Sequence, residues 1–414
     1  MDASYPIRPT AMSDLPQFMR VGDHAFNSNW PSDQLMALEK LVFEAERSLA
    51  AFDGDEIVGT TTAITFDVTV PGGGQVGTAG VTGVGVLPSH RRQGVLSSLM
   101  NRQLSDIAAG SEPLAALFAS ESVIYGRYGY GVATRHLHYT IMRGEALLPK
   151  PANRPRLRIY EPKEAVAKLK QVHDAIQVTR PGMLTRHQQY WDVILADPEF
   201  TREGNTPTHC VVAEDETGPR GYALYSGKPK WGPDALPDGE LHVRELFGLD
   251  RDTTLTLWAD MFSRDLIGQV SVRSRPVDDP LLYELADPRR TRATIVDGLY
   301  IRLVDLPAAL TSRLYSSPVD VVIEVTDDRL PANAGRWRLA AGGPADGVKP
   351  SCERTTAEPD LVMPVVALGA AYLGGTRLGS LADAGVITEV RPGALAALSA
   401  AMWWDPAPWA PSSF

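Results

Sequence analysis

The stretch from Val81 to Met100 constrains the fold more than any other part of the chain. It opens as a strand in which Gly83 and Gly85 alternate with Val84 and Val86. One face therefore lacks side chains and lets an extended polar molecule lie against the backbone. Pro88 ends the strand, and the basic turn His90-Arg91-Arg92-Gln93-Gly94 follows. Val95 then opens a segment whose apolar residues Leu96, Leu99, Met100, Leu104 and Ile107 have helical spacing. A strand, a basic glycine turn and a helix N-terminus together form a phosphate site. Free N–H groups and the helix dipole converge there, Gly94 admits close approach, and the arginines add charge-assisted hydrogen bonds.

The turn resembles the pyrophosphate-binding signature of the GNAT acetyltransferases, (Q/R)-x-x-G-x-(G/A). It reads here as Arg91-Arg92-Gln93-Gly94-Val95-Leu96, with Leu96 in place of the final small residue. Downstream, Leu114 to Gly131 reads as a buried strand, an N-cap at Ser120, one short helical turn, and alternating glycines and tyrosines. The string Ile124-Tyr-Gly-Arg-Tyr-Gly-Tyr-Gly131 sharpens the resemblance to the Eis (enhanced intracellular survival) type of acetyltransferase. That resemblance implies an acetyl-CoA-dependent N-acetyltransferase acting on a primary amine by direct attack in a ternary complex.

Element order extends the reading along the chain. Pro6 to Pro9 reads as a strand, Ser13 caps a helix through Leu15, Phe18, Met19 and Phe26, and a second helix runs from about Ser32 to Ala45. Asp53-Gly54-Asp55 joins two β-rich runs into a hairpin before the glycine-rich turn at Pro71. The order then repeats without the phosphate chemistry. Arg156 to Tyr160 is a strand, Lys163 to Ile176 and Arg186 to Leu195 are helices, and His209 to Tyr225 is a second hairpin. Glu240 to Leu249 stands where the cofactor strand would be, followed by Asp250-Arg251-Asp252 and a helix through Leu255, Trp258 and Phe262. Two carboxylates at that turn would repel a pyrophosphate. From Asp297 the chain begins again, with strands at Val319–Val325 and Gly335–Ala340 and a helical run at Val365–Tyr372, resembling the sterol-carrier-like third domain of Eis proteins. The fold class expected is α/β (α+β): two tandem GNAT-like domains, residues 1–145 and a degenerate 150–295, then a sterol-carrier-like domain, 297–414. Lipid carriage does not follow from that fold alone.

The tail is unusual in its own right. Three prolines and three tryptophans crowd the last dozen residues before Phe414. Prolines lower the entropy lost when a tail is held extended, and tryptophans supply area to hold it, so the tail is expected to dock. By the same resemblance, the terminal carboxylate of Phe414 is the general base and Tyr125 the general acid. An unperturbed α-carboxylate has a pKa of roughly 3.5, so burial must raise it, or it mainly attracts the ammonium. The resemblance also has Val84, Gly85 and Val86 pairing with the pantetheine arm. Arg91, Arg92, Gln93, Gly94, Val95, Leu96 and Ser97 hold the pyrophosphate, and Ser120 and Glu121 close the site. Ser28 and Ser413 are neutral where relatives that acetylate polycationic antibiotics carry acidic residues, and Phe118 stands where a relative has His.

Composition sets limits on partners. A net charge of -10 over 414 residues disfavours nucleic acid and favours cationic partners such as amines. Cys210 and Cys352 lie far apart with no metal-ligand spacing, no His, Cys or Asp grouping suggests a metal, and His24 and His90 read as scaffold. Met1 to Ala3 begins without a leader-like charge pattern, and the most apolar stretch, Leu361 to Leu373, is short and broken by Pro364. A cytoplasmic protein without a membrane partner is the expectation, and a homo-oligomer, hexameric by resemblance. Two other functions compete: an acyl-CoA sensor that needs only the turn, and a lipid binder that needs only the third domain. Retention of both Tyr125 and Phe414 favours the enzyme.

Overall fold

The computed structural model describes residues 5–28 and 32–414, so Met1 to Ala3 lies outside the described residues. The chain divides into two compact units. One holds Met1–Thr134, Gly298–Pro408 and Ser413–Phe414, and the other holds Arg135–Asp297 and Trp409–Ser412.

The first unit contains a seven-stranded sheet. Its strands are β1 (Ile7–Pro9), β2 (Leu49–Asp53), β3 (Glu56–Thr69), β4 (Gln75–Val86), β5 (Leu114–Phe118), then the distant strand Leu299–Leu303, and β6 (Gly131–Val132) at the edge. Only β4 and β5 run parallel among the first five. Helix α1 (Leu15–Phe26) follows a short 3-10 turn at Met12–Asp14. Asp14, and not the expected Ser13, is therefore the N-cap residue, because the chain is already helical at Ser13. Helix α2 (Ser32–Val42) follows, and α3 (Val95–Ala108) packs Met100, Leu104 and Ile107 against Ala63, Ala79 and Val81 of the sheet. The glycines of β4 serve a different purpose from the one expected. A Cβ on Gly85 would lie 3.2 Å from the Ala25 Cβ, and one on Gly83 would lie 3.1 Å from the Phe18 ring. The bare face thus lets α1 lie close on the strand, and the helix covers it.

The same unit carries a second sheet, ordered Ser351–Arg354, Gly335–Ala341, Val319–Thr326, Leu361–Pro364 and Thr388–Glu389. Helix Val365–Ala371 joins it to the first sheet through small residues. A Cβ on Gly369 would lie 2.4 Å from the Ile301 carbonyl, and one on Gly131 would lie 2.2 Å from the Val366 carbonyl. Arg302, wholly buried, reaches from the first sheet to Asp327 with both bonds at 2.8 Å. Removing one partner of such a pair typically costs about 3–5 kcal/mol, because the other charge stays buried.

The second unit repeats the first architecture. Its strands are β7 (Arg135–Met142), β8 (Arg156–Tyr160), β9 (His209–Asp215), β10 (Gly218–Lys228), β11 (Gly239–Gly248), β12 (Ile267–Pro276) and β13 (Thr294–Asp297). Their spatial order is β8-β9-β10-β11-β12-β7-β13, with β11 and β12 parallel. The sixth place of the first sheet is filled from far along the chain, and that of the second by the strand that opens its unit. Strand β7 follows β6 directly yet pairs with β12, and Leu299–Leu303 follows the second sheet yet pairs with β5. Helices α5 (Val166–Gln177), α6 (Gln188–Ile194) and α7 (Arg251–Phe262), numbered after the short α4 (Ser122–Tyr125), complete the set. Two tandem GNAT modules and a sterol-carrier-like module in a mixed α/β chain are what the element order implied.

Both cysteines are free and buried, and burial pushes each thiol up to about 12. Among the described residues no helix is long and apolar enough to cross a membrane. Burial drives His173 down to about 3 and His136 down to about 4. Each is neutral in the folded chain over a range where the unfolded chain binds a proton. Their contribution is therefore complete above the unfolded value of about 6.5 and is lost as pH falls toward the folded values. The urea midpoint should fall steadily from pH 7 to pH 4.5, and His173→Leu should flatten that slope. An unchanged slope in the variant would remove His173 from the account.

Candidate active site

A cavity of about 570 Å³ opens where β4 and β5 separate. Their parallel pairing stops at Gly80 opposite Ala116, although β4 runs on to Val86 and β5 to Phe118. A bulge contributes to the separation. Thr60 pairs with Gly85 and Thr62 with Thr82, so β4 carries one extra residue, with Gly83 at φ 58°. Such a bulge bends its strand and re-aims the residues beside it. The edge of β4 from Thr82 onward is thus free to pair with an extended ligand.

The turn at the end of β4 supplies the polar end of the cavity. Arg92 and Gly94 both lie in the left-handed region, at φ 63° and 83°. Left-handed residues in a tight turn gather main-chain N–H groups into an anion-binding concavity. Gly94 is the N-cap of α3 and has no side chain to close the helix end. The first bond within the helix runs from the Ser98 N–H to the Gly94 carbonyl at 3.0 Å. The N–H groups of Val95, Leu96 and Ser97 are then the ones that a helix start leaves for a ligand.

The side chains named from sequence converge here. Val84, Gly85, Val86, Arg91, Arg92, Gly94, Val95, Leu96, Ser97, Ser120, Glu121 and Tyr125 all line the cavity. Gln93 does not; its amide donates to the Ser89 carbonyl at 3.0 Å and accepts from the Tyr5 hydroxyl at 2.5 Å, which holds the turn itself. Arg91 donates to the Ala25 carbonyl at 3.1 Å and so ties the turn to the end of α1. Glu121, not the expected Ser120, precedes the single turn of α4, and its side chain makes no cap bond there. His90 bridges Ser89 and Asp53 at 2.9 and 3.2 Å, a scaffold role.

Sequence reasoning missed part of the wall. Ala25, Phe26 and Asn27 at the C-terminal end of α1 line the cavity, as do Ile124 and Arg127. Phe26 gave a signal, since it continues the apolar stripe of α1 yet remains 51% exposed at the cavity rim. Arg127 sat inside the recognised glycine–tyrosine string without a role. It adds a third guanidinium beside Arg91 and Arg92.

Tyr125 is 7% exposed, edge-on to Tyr130 at 6.2 Å. Burial, reinforced by the nearby Glu121 and then Tyr128, pushes its phenol up to about 12. Phe414 is seated on the same sheet. Its ring lies 4.8 Å from the Phe66 ring and 5.4 Å from the Phe118 ring, over Gly80, where a Cβ would come within 3.0 Å of it. The Thr82 hydroxyl donates to the Phe414 main-chain oxygen at 3.3 Å. Thr82 is two residues before Val84, on the free edge of β4. Among the described residues no group of three His, Cys, Asp or Glu side chains could hold a metal.

Residues 6–133 and 182–303 each match a family model of an acetyltransferase (GNAT) domain, and residues 306–411 match a sterol carrier protein domain. The chain is 45% identical to an uncharacterized N-acetyltransferase of Streptomyces coelicolor over 93% of both chains. It is 33% identical to the N-acetyltransferase Eis of Mycobacterium tuberculosis over 80% of this chain and 79% of that one. The crystal structure of Eis1 from Mycobacterium abscessus superposes with a TM-score of 0.83 at 31% identity, covering 99% of this chain and 100% of that one.

Replacing Gly94 should test whether this end of the cavity takes the phosphates of coenzyme A. A Cβ there meets nothing within 4 Å, so Gly94→Ala acts through its φ of 83° and not through a clash. The strain of a left-handed alanine is about 1–2 kcal/mol, so coenzyme A affinity should drop roughly tenfold if the turn relaxes to avoid it. Arg92→Ala should weaken binding less, and less still at high salt. Calorimetric affinities unchanged in both variants would place the phosphates elsewhere.

Proposed function

The chain belongs to the Eis type of GNAT N-acetyltransferases, and on that premise we propose that it acetylates a primary amine by direct attack in a ternary complex with acetyl-CoA. Tyr125 is the general acid and the Phe414 carboxylate the general base. The observation that carries this reading is the convergence on β4 of a free strand edge, an open helix N-terminus and a seated Phe414. Acetyl-CoA, when bound, supplies the acyl group as a thioester. Arg91, Arg92, Arg127 and the N–H groups of Val95 to Ser97 would hold its phosphates, and the β4 edge at Val84 to Val86 would pair with its amide arm.

The residues then divide the proton traffic. A phenol at about 12 stays protonated through the neutral range and can donate to the departing sulfur. An ordinary thiol, at about 8.5, is the stronger acid, so Tyr125 stabilises the thiolate chiefly as a hydrogen-bond donor. The Phe414 carboxylate draws in the ammonium and accepts its proton, held in place by Thr82.

Charge around the site supports a substrate class. Ser28 and Ser413 leave the acceptor side without the two carboxylates that would recruit a polycation. Each missing carboxylate near an ammonium is worth on the order of 1 kcal/mol in a partly buried site. Neutral or singly charged amines, small molecules or a lysine side chain, should therefore compete better here than polycationic aminoglycosides.

Apart from the strands Arg135–Met142 and Leu299–Leu303, which pair in another segment's sheet, the three segments 1–145, 150–295 and 297–414 act as a catalytic domain, a domain without cosubstrate, and a domain that ends in the catalytic tail. In the second module the helix end that matches α3 is closed by its own chain. Asp250 accepts from the Thr253 N–H at 2.8 Å, and Asp252 accepts from the Ala152 and Asn153 N–H groups at 3.1 and 2.8 Å. We take the working form to be a cytoplasmic homo-oligomer, a hexamer on the family's pattern.

Three outcomes are expected. Calorimetry should give one coenzyme A per chain, and two equivalent sites would overturn the division between modules. Adding a single residue after Phe414 should abolish thiol release from acetyl-CoA while leaving coenzyme A affinity intact. Tyr125→Phe should lower kcat by about 10²-fold, the usual size of such a contribution. Full activity in the extended chain would move the base to another group.

A further inference from the structure

The second sheet parts in the same place as the first. Strands β11 and β12 pair from Gly239 to Val243 and then separate, after an extra residue, Arg244, bulges β11. In the first sheet the corresponding gap is the cavity above. Here a side chain of the tail stands in it. Trp409, 5% exposed, donates from its indole N–H to the Ser274 hydroxyl of β12 at 3.0 Å. Its ring lies 5.6 Å from the Phe247 ring of β11, with the Arg275 guanidinium 5.4 Å above it. Its own N–H donates to the Pro181 carbonyl at 2.8 Å.

Three residues later the tail is gripped again. Arg186 donates to the Ser412 hydroxyl at 2.9 Å. That arginine is buried in a two-bond pair with Glu245, at 2.6 and 3.1 Å, and Glu245 also accepts from the Tyr222 hydroxyl at 2.8 Å. Glu245 follows the bulged Arg244 directly. The gripping pair is thus built on the parted strand itself.

We propose that the gap in the second sheet is a socket for the chain's own C-terminus, and that Trp409, Arg186 and Ser412 are positioning residues for Phe414. The proposal rests on the reading of Phe414 as the base. It explains why a module that takes no cosubstrate keeps the parted-strand fold: the space that one sheet offers to the amide arm, the other fills with an indole. Along the chain only Ser413 separates Ser412 from Phe414, so a tail held at Ser412 leaves the terminal residue a reach of two peptide units.

The full chain carrying Trp409→Ala, Trp409→Phe or Ser412→Ala tests this with two readouts. Carboxypeptidase release of Phe414 reports the seat of the tail, and steady-state kinetics report its use. In Trp409→Ala we expect release about tenfold faster or more, because digestion follows local opening. We also expect kcat to fall about tenfold, with KM for acetyl-CoA changed less than about twofold. Trp409→Phe fills the gap without the N–H and should recover most of both, and Ser412→Ala should fall between. Unchanged release in Trp409→Ala overturns the socket. Faster release with unchanged kcat keeps the socket and overturns the assignment of the base. If Trp409→Ala does not fold, Ser412→Ala decides by the same criterion, since it removes one hydroxyl at a half-buried position.

Discussion

Parting two parallel strands bares a row of main-chain N–H and C=O groups, and each one buried without a partner costs about 1–3 kcal/mol. Most of this molecule can be understood as a response to that constraint, met twice. In the first sheet the bared edge lies beside a left-handed turn and a helix whose N-cap, Gly94, has no side chain to close it. In the second sheet the corresponding helix is capped by Asp250, and the gap holds Trp409. One framework therefore yields an open cavity or a packed interior according to a handful of side chains.

Buried charge fixes the elements that surround the gaps. Arg302 with Asp327, Arg186 with Glu245, and Arg275 with Asp279 are pairs almost wholly withdrawn from water. Arg313 is different, because its partners are carbonyls: Leu314, Ala371, Tyr372 and Met402. Met402 ends the helix Ala394–Met402, so the cation meets the negative end of that helix dipole. The guanidinium thereby fixes the point from which the tail departs. Burial lowers its affinity for a proton.

Much of this was legible in the sequence because local chemistry decides it. The turn at Arg91–Gly94, the Asp53-Gly54 hairpin and the order of the second module are set by nearby residues, and the structure has each of them; the tail docks, as its own prolines and tryptophans implied, on residues far away in the chain. The expectations that failed concern competition over distance. The bare face of β4 is covered by α1, because Phe18 and Ala25 make a closer fit than the residue pattern of β4 alone can reveal. Gln93 is drawn to Tyr5, 88 residues away. Arg127 and the Ala25–Asn27 wall reach the cavity only through tertiary packing. The strands Arg135–Met142 and Leu299–Leu303 carry no mark of which sheet they join, since pairing across so many residues is settled by the partners available.

Those two strands have a consequence for ancestry. A gene that merely joins two modules end to end can later lose, duplicate or reorder either one, since each is complete. Here the sixth strand of each sheet lies in the chain on the far side of the other module's sequence or at its threshold. A cut between Met142 and Arg156 would leave the first sheet without Leu299–Leu303 and the second without Arg135–Met142, each missing its sixth strand. A first module separated from the rest of the chain would therefore keep an incomplete sheet.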